Sequence, residues 1–132
     1  KFKNFWKKRN FEIVETEKTY YSDELDVCGT LDVLVKRKGK IGILDFKTSK
    51  DFYPDMPVQI HTYKKLVEDS TKHKIEFLAV INIPKEPVKD VSIRFFDIKP
   101  RYLKAFKACK YLNNVEEDFK KRNEEYNKMR SK

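Results

Sequence analysis

The sequence predicts an α/β (α+β) domain, a mixed β-sheet flanked by helices in the order β-β-β-α-β-β-α. Three observations carry this expectation: short runs dense in Val, Ile, Leu and Phe, two longer stretches with helical apolar spacing, and Pro or Lys-Gly steps at the joints between them. A chain of 132 residues has room for one hydrophobic core, so residues 1–132 are expected to form a single domain.

Residues 1–10 interleave Phe2, Phe5 and Trp6 with Lys1, Lys3, Lys7, Lys8 and Arg9 at helix-like spacing, as at the end of a helix. Phe11–Tyr21, with Phe11, Ile13, Thr19, Tyr20 and Tyr21, reads as a strand. Val27–Val35 and Ile41–Thr48 flank Arg37-Lys38-Gly39-Lys40 and read as a β-hairpin. Met56–Asp69 is a helix opened by Pro57, with Ile60, Tyr63, Leu66 and Val67 on its inner stripe. Ile75–Ile83 is a strongly apolar strand closed by Pro84, and Val91–Ile98 alternates as a half-buried strand. Pro100 opens a long helix whose stripe is Tyr102, Phe106, Cys109, Leu112 and Phe119. Residues 120–132 are almost wholly polar, a helix end expected to project or fray.

The charge balance is 30 Lys+Arg against 21 Asp+Glu, a net +9, which makes a polyanion a natural partner. Ten Phe, seven Tyr and one Trp supply more aromatic surface than a disordered chain carries. No apolar run is long enough for a membrane span, so a soluble, cytoplasmic protein with no membrane partner is expected. Cys28 and Cys109 lack any metal-ligand spacing and are expected as free thiols of a reducing compartment. The first residue is Lys1 rather than Met, so the chain is expected to be trimmed, and residues 1–10 read as the end of a helix whose start is gone, so N-terminal helical structure is expected to be missing.

Polar residues inside strands that should be buried are the most informative feature: Gly29-Thr30-Leu31-Asp32, then Asp45-Phe46-Lys47. If the hairpin turns between Lys38 and Gly39, Asp32 lies opposite Asp45. Opposed side chains on one sheet face have Cβ atoms about 4.5–5.5 Å apart, close enough for two carboxylates to share a cation. Lys47 projects from the same face, beside Leu34 and Ile43, while Leu31, Val33, Val35, Leu44 and Phe46 are expected on the other. One lysine does not neutralise two buried carboxylates, and hard oxygen ligands with open positions suit Mg²⁺ or Mn²⁺. An ordinary Asp–Lys ion pair would account for any two of these residues, but it requires neither Gly29 nor the aligned register.

Gln59 and Tyr63 share one helix face, where Tyr63 serves equally well as core and Gln59 as a solvated cap. Glu15 reads as one of several acids on a solvated strand face. His61 and His73 have no partner at ligand or triad spacing and are expected at the surface. From Lys36 to Lys50 the chain carries Lys36, Arg37, Lys38, Lys40, Lys47 and Lys50 against Asp45 alone, which predicts a phosphate-attracting surplus beside the carboxylates.

The series Gly29-Thr30-Leu31-Asp32, Ile43-Leu44-Asp45-Phe46-Lys47-Thr48-Ser49-Lys50 and Gln59-Ile60-His61-Thr62-Tyr63 resembles the PD-(D/E)XK nuclease superfamily, in its RecB-like or phage exonuclease branch. The resemblance covers about residues 11–110. It implies a restriction-endonuclease-like sheet, metal on Asp32 and Asp45, Lys47 at the attacking water, and Gln59 and Tyr63 bracing the site or touching the DNA backbone. Glu15 falls where a supporting acid precedes the hairpin, and Arg37, Lys38, Lys40 and Lys50 are the DNA-binding candidates. The further upstream helix that carries a His or acid in this family, and the four cysteines of its iron–sulfur members, have no counterpart here.

The function expected from these residues is a Mg²⁺- or Mn²⁺-dependent deoxyribonuclease, an exonuclease of DNA repair, recombination or phage replication. A helicase or recombination protein is a possible partner, and a phage or prokaryotic source is expected. The alternative is a nuclease-fold DNA-binding module, inactive as the chain stands.

Overall fold

The computed structural model describes residues 2–86 and 88–131. Lys1 and Lys132, counted above in the basic N-terminal stretch and the polar C-terminal one, lie outside the described residues. The fold is α+β with a mixed sheet. The elements are α1 (Phe2–Arg9), β1 (Glu12–Thr16), β2 (Thr19–Ser22), β3 (Val27–Thr30), β4 (Val33–Arg37), β5 (Lys40–Lys47), α2 (Asp55–Ser70), β6 (Ile75–Asn82), β7 (Ser92–Phe96) and α3 (Pro100–Arg130).

The main sheet has the order β1-β4-β5-β6-β7. Its pairs are antiparallel except β5–β6, which run parallel because α2 carries the chain across between them. Lys38 and Gly39 both take positive φ, 53° and 78°, in a two-residue turn closed by the Arg37–Lys40 pair. That backbone twist matches the strands it joins, and glycine accepts it freely.

The expected order changes in two places. The stretches over 11–21 and 27–35 each divide, so β2 and β3 form a separate two-stranded sheet. The division is a bend in paired strands rather than a loss of pairing, since Glu17 N–H donates to the Asp32 carbonyl at 3.0 Å and Leu31 N–H to that of Lys18 at 3.1 Å. Glu17 turns the corner with φ of 49°. The bend also resets side-chain alternation: Leu31 is buried with Leu34 and Ile43 rather than with Val33 and Val35.

Two apolar layers cover the sheet. On one face Leu34, Ile43, Leu78 and Val80 pack with Met56, Ile60, Leu66 and Val67 of α2. On the other, Val33, Val35, Leu44, Ala79 and Ile81 pack with Phe2, Phe5 and Trp6 of α1 and with Phe11. β5 and β6, buried on both faces, therefore read as nearly continuous apolar runs. Gly42 makes room for this second layer, because a Cβ there would fall 2.2 Å from the Phe77 ring.

His61 is buried, contrary to its expected surface position, and His73 is half-buried. The His61 Nε2 accepts the Lys99 amide hydrogen at 3.1 Å, so Nδ1 carries the ring proton and donates to the Pro57 carbonyl at 2.7 Å. With the Tyr102 ring 4.7 Å away, the imidazole fastens the start of α3 to α2. Burial lowers its pKa and keeps it neutral. Glu24 ion-pairs with Lys65, and Ser22 donates to Asp69, which ties the β2–β3 tip to the same helix.

The expected α3 stripe packs only at its beginning. Tyr102 and Phe106 are half-buried, whereas Cys109, Leu112 and Phe119 are exposed. At about 1.5 Å per residue a 31-residue helix is nearly twice as long as the 16-residue α2 it leans on. Residues 120–130 are helical and exposed, so this end projects from the body of the fold. Cys28 and Cys109 are free thiols, and among the described residues no helix is long and apolar enough to cross a membrane.

Gly42→Ala tests the layer at Phe77. The added methyl should cost about 1–3 kcal/mol in urea or thermal unfolding, and Phe77→Leu in the same chain should recover part of the loss. Unchanged stability in Gly42→Ala would show that Phe77 repacks freely.

Candidate active site

The site is built where the bend in β3–β4 meets the end of β5. Because β4 begins only at Val33, the Phe46 amide has no strand carbonyl to pair with. The Asp32 side chain supplies the acceptor, with Oδ2 2.8 Å from Phe46 N. This bond fixes Asp32 beside Asp45. The β4–β5 register continues the Val33–Leu44 pair toward these two residues, as the sequence predicts, and their carboxyls are in hydrogen-bonding contact.

Asp45 is only 6% exposed. Burial first, and then the hydrogen bond to Asp32, push its pKa up to about 6, while Lys47 pulls the other way. Lys47 Nζ lies 3.1 Å from Asp45 Oδ2 and donates to Gln59 Oε1 at 2.9 Å. Gln59 Nε2 in turn donates to the Tyr63 hydroxyl at 3.2 Å. Burial, with Asp45 nearby, raises the Tyr63 pKa, so it serves as a neutral phenol. Asp32, Asp45, Lys47, Gln59 and Tyr63 form a continuous polar string from sheet to helix, and the Tyr63 ring also packs against the core, as its place on the helix stripe allows.

Gly29 has a spatial reason in this string. A Cβ at this position would stand 3.1 Å from both the Tyr63 ring and the Leu66 side chain, tighter than ordinary contact, so glycine lets β3 approach α2 here without displacing either.

The remaining candidates are elsewhere. Glu15 is exposed on β1 opposite Leu34, and among the described residues no group of three or more His, Cys, Asp and Glu side chains could hold a metal ion. The acid pair therefore stands without Glu15. Arg37, Lys38 and Lys40 sit at the turn of the hairpin whose other end carries the carboxylates. At about 3.3 Å per strand residue that separation is roughly 20 Å, so they do not flank the acids as the charge count along the sequence implies. Lys50 is exposed in the bend just beyond β5.

Two residues escaped the sequence reading. Asn82 pairs in register with Lys47, is 6% exposed, and its Oδ1 is buried with no hydrogen-bond partner among the described residues. Its signal was an amide closing the run Ile75–Ile81. Arg94 lies on β7 level with Asp45, across Val80, and its guanidinium stands over Phe52 and Phe96 at 5.8 and 5.2 Å. One arginine in an alternating strand carried no signal by itself.

The donor set suits a hard divalent cation: two adjoining carboxylates that otherwise need a shared proton, and one lysine too few to balance them. Mg²⁺ binds through one or two carboxylates and completes its shell with water and phosphate oxygens. No protein-family model and no curated protein matches the chain.

Asp45→Asn should stabilise the metal-free protein. Its carboxyl ionises near pH 4 in the unfolded chain and near 6 in the fold, so between these values the folded state holds more protons and wild-type stability falls as pH rises. The variant lacks that loss. In urea unfolding with EDTA, the stability gap should open from pH 4 to 6 and level off, at a size on the order of 2 kcal/mol after allowance for solvent screening. A gap independent of pH would mean that Lys47 fully compensates the buried charge.

Proposed function

We propose that this chain is a Mg²⁺- or Mn²⁺-dependent deoxyribonuclease, cutting DNA from its ends in repair, recombination or phage replication. The observation that carries the reading is the contact between Asp32 and Asp45 with Lys47 bonded at once to Asp45 and Gln59. A structural ion pair requires one carboxylate, whereas here a second is held against it by a backbone amide.

Asp32 and Asp45 would hold the cation. When bound, it polarises the phosphate and lowers the pKa of a coordinated water. Lys47, half-buried and anchored on both sides, is placed to orient the attacking water and to hydrogen-bond phosphate oxygens as negative charge grows on them. Water oxygen bonds to phosphorus as a phosphorus–oxygen ester bond breaks. Gln59 and Tyr63 hold the lysine in position, and Asn82 offers an unused amide oxygen beside it. Arg94 supplies a cation on the same sheet face for a neighbouring phosphate.

An inactive nuclease-fold DNA-binding module is the second reading. It is favoured by the absence of a third ligating side chain among the described residues. A helicase or recombination partner and a cytoplasmic location accord with the first reading.

Digestion of linear DNA with Mg²⁺ or Mn²⁺ and with EDTA separates the two: cleavage that requires the metal supports the nuclease, and salt-sensitive binding without cleavage the module. Lys47→Ala should lower cleavage about 10²-fold at saturating DNA, with little change in binding measured in Ca²⁺. Parallel loss of binding and cleavage would reduce Lys47 to a member of a basic patch.

A further inference from the structure

Asp32 belongs to a second feature. Beside it, between α1 and the sheet, opens a cavity of about 660 Å³ lined by Phe2, Trp6, Ile13, Val33 and Phe46, with Thr16, Glu17 and Asp32 as its polar groups. This volume lies within the range of small-molecule sites, which are mostly apolar with few polar groups. The aromatic wall is organised: Phe2 stands 5.9 Å from Trp6 and meets Phe46 edge-on at 5.8 Å. Its bottom is formed by the layer opposite α2, so the cavity and the Lys47 string lie on opposite faces of the sheet and meet at Asp32.

We propose that this cavity seats an unpaired nucleobase of a DNA strand whose adjoining phosphate reaches the Asp32–Asp45 pair. Planar rings of every base stack on aromatic side chains. The Glu17 carboxylate accepts hydrogen bonds from base N–H groups, and the Thr16 hydroxyl both donates and accepts.

The charge around the cavity fits a strand. Helix α1 holds no acid; Lys3, Lys7 and Lys8 are exposed on it, while Phe2 touches Phe46 near the carboxylates and Trp6 packs against Phe11. The Arg37 guanidinium lies over Phe11 at 5.4 Å. Helix and hairpin thus carry cations from the cavity to the Arg37-Lys38-Gly39-Lys40 turn. A strand along this track leaves its base in the aromatic cavity and its phosphates on lysine.

The inference takes the polymer from the nuclease reading, but its test needs no cleavage. Trp6 is the single tryptophan, so its fluorescence reports the cavity directly. Titration in EDTA with an oligo(dT) decamer should quench Trp6, and binding should exceed that of an abasic decamer with equal phosphates by about 10-fold. A duplex decamer should behave like the abasic one. Trp6→Ala should abolish the difference in a labelled-oligonucleotide assay, and Trp6→Phe should keep most of it. Ile13→Ser, at an exposed cavity position and without a change of charge, should weaken oligo(dT) binding more than abasic binding, so the test survives if Trp6→Ala fails to fold. Equal affinity for oligo(dT), abasic strand and duplex would overturn the base site in favour of phosphate contacts. Cleavage without Trp6 quenching would overturn it while sparing the nuclease reading. Base-dependent quenching without metal-dependent cleavage would uphold the cavity and sink the catalytic assignment.

Discussion

The bond from the Phe46 amide to the Asp32 carboxylate is the hinge of this structure. A central β5 residue that loses its strand partner would leave a backbone donor unpaired next to the core, at a cost of about 1–3 kcal/mol. Asp32 removes that cost only because β3 and β4 part company at Leu31–Asp32, and their partner strands bend at the same level through Glu17. One local departure from regular pairing therefore places a carboxylate, turns Leu31 into the α2 layer, and opens the sheet end toward the aromatic cavity.

That hinge creates a destabilised cluster supported by its surroundings. A buried carboxyl raised to about 6 and an amide oxygen with no partner among the described residues are each unfavourable in a metal-free fold. They persist because β5 and β6 lie between two apolar layers, one clamped by α2 and the other by α1. Such strain concentrated at one end of an otherwise consistent sheet is expected of a binding or catalytic site. The buried, neutral His61 is the contrasting case, with both ring nitrogens satisfied as it fastens α3 to α2.

The sequence made some of this legible, for physical reasons. Lys38-Gly39 dictated a two-residue turn, and the turn fixed the register that runs to the Val33–Leu44 pair, next to Asp32 and Asp45. Strong periodicity identified α2, β6 and the mixed sheet. The bend was hidden, because alternation along 27–35 reads the same in a straight strand and a folded one. The exposed course of α3 was hidden as well: a helical stripe states which residues share a face, not whether a neighbour is long enough to cover it. Gly29, Gly42 and Asn82 owe their meaning to side chains distant in sequence, Tyr63, Phe77 and Lys47.

The misplaced basic turn carries a physical lesson about charge. Counted along the chain, six cations surround Asp45; along the hairpin, three of them lie roughly 20 Å away. At physiological ionic strength the screening length is about 8 Å, so Arg37, Lys38 and Lys40 do little to hold Asp45 ionised. Burial and Asp32 outweigh Lys47 there, and the carboxyl titrates upward in a protein of net charge +9. Substitutions at Arg37, Lys38 and Lys40 therefore leave the electrostatics of Asp45 nearly intact, whereas those at Asp32 or Lys47 act on it directly.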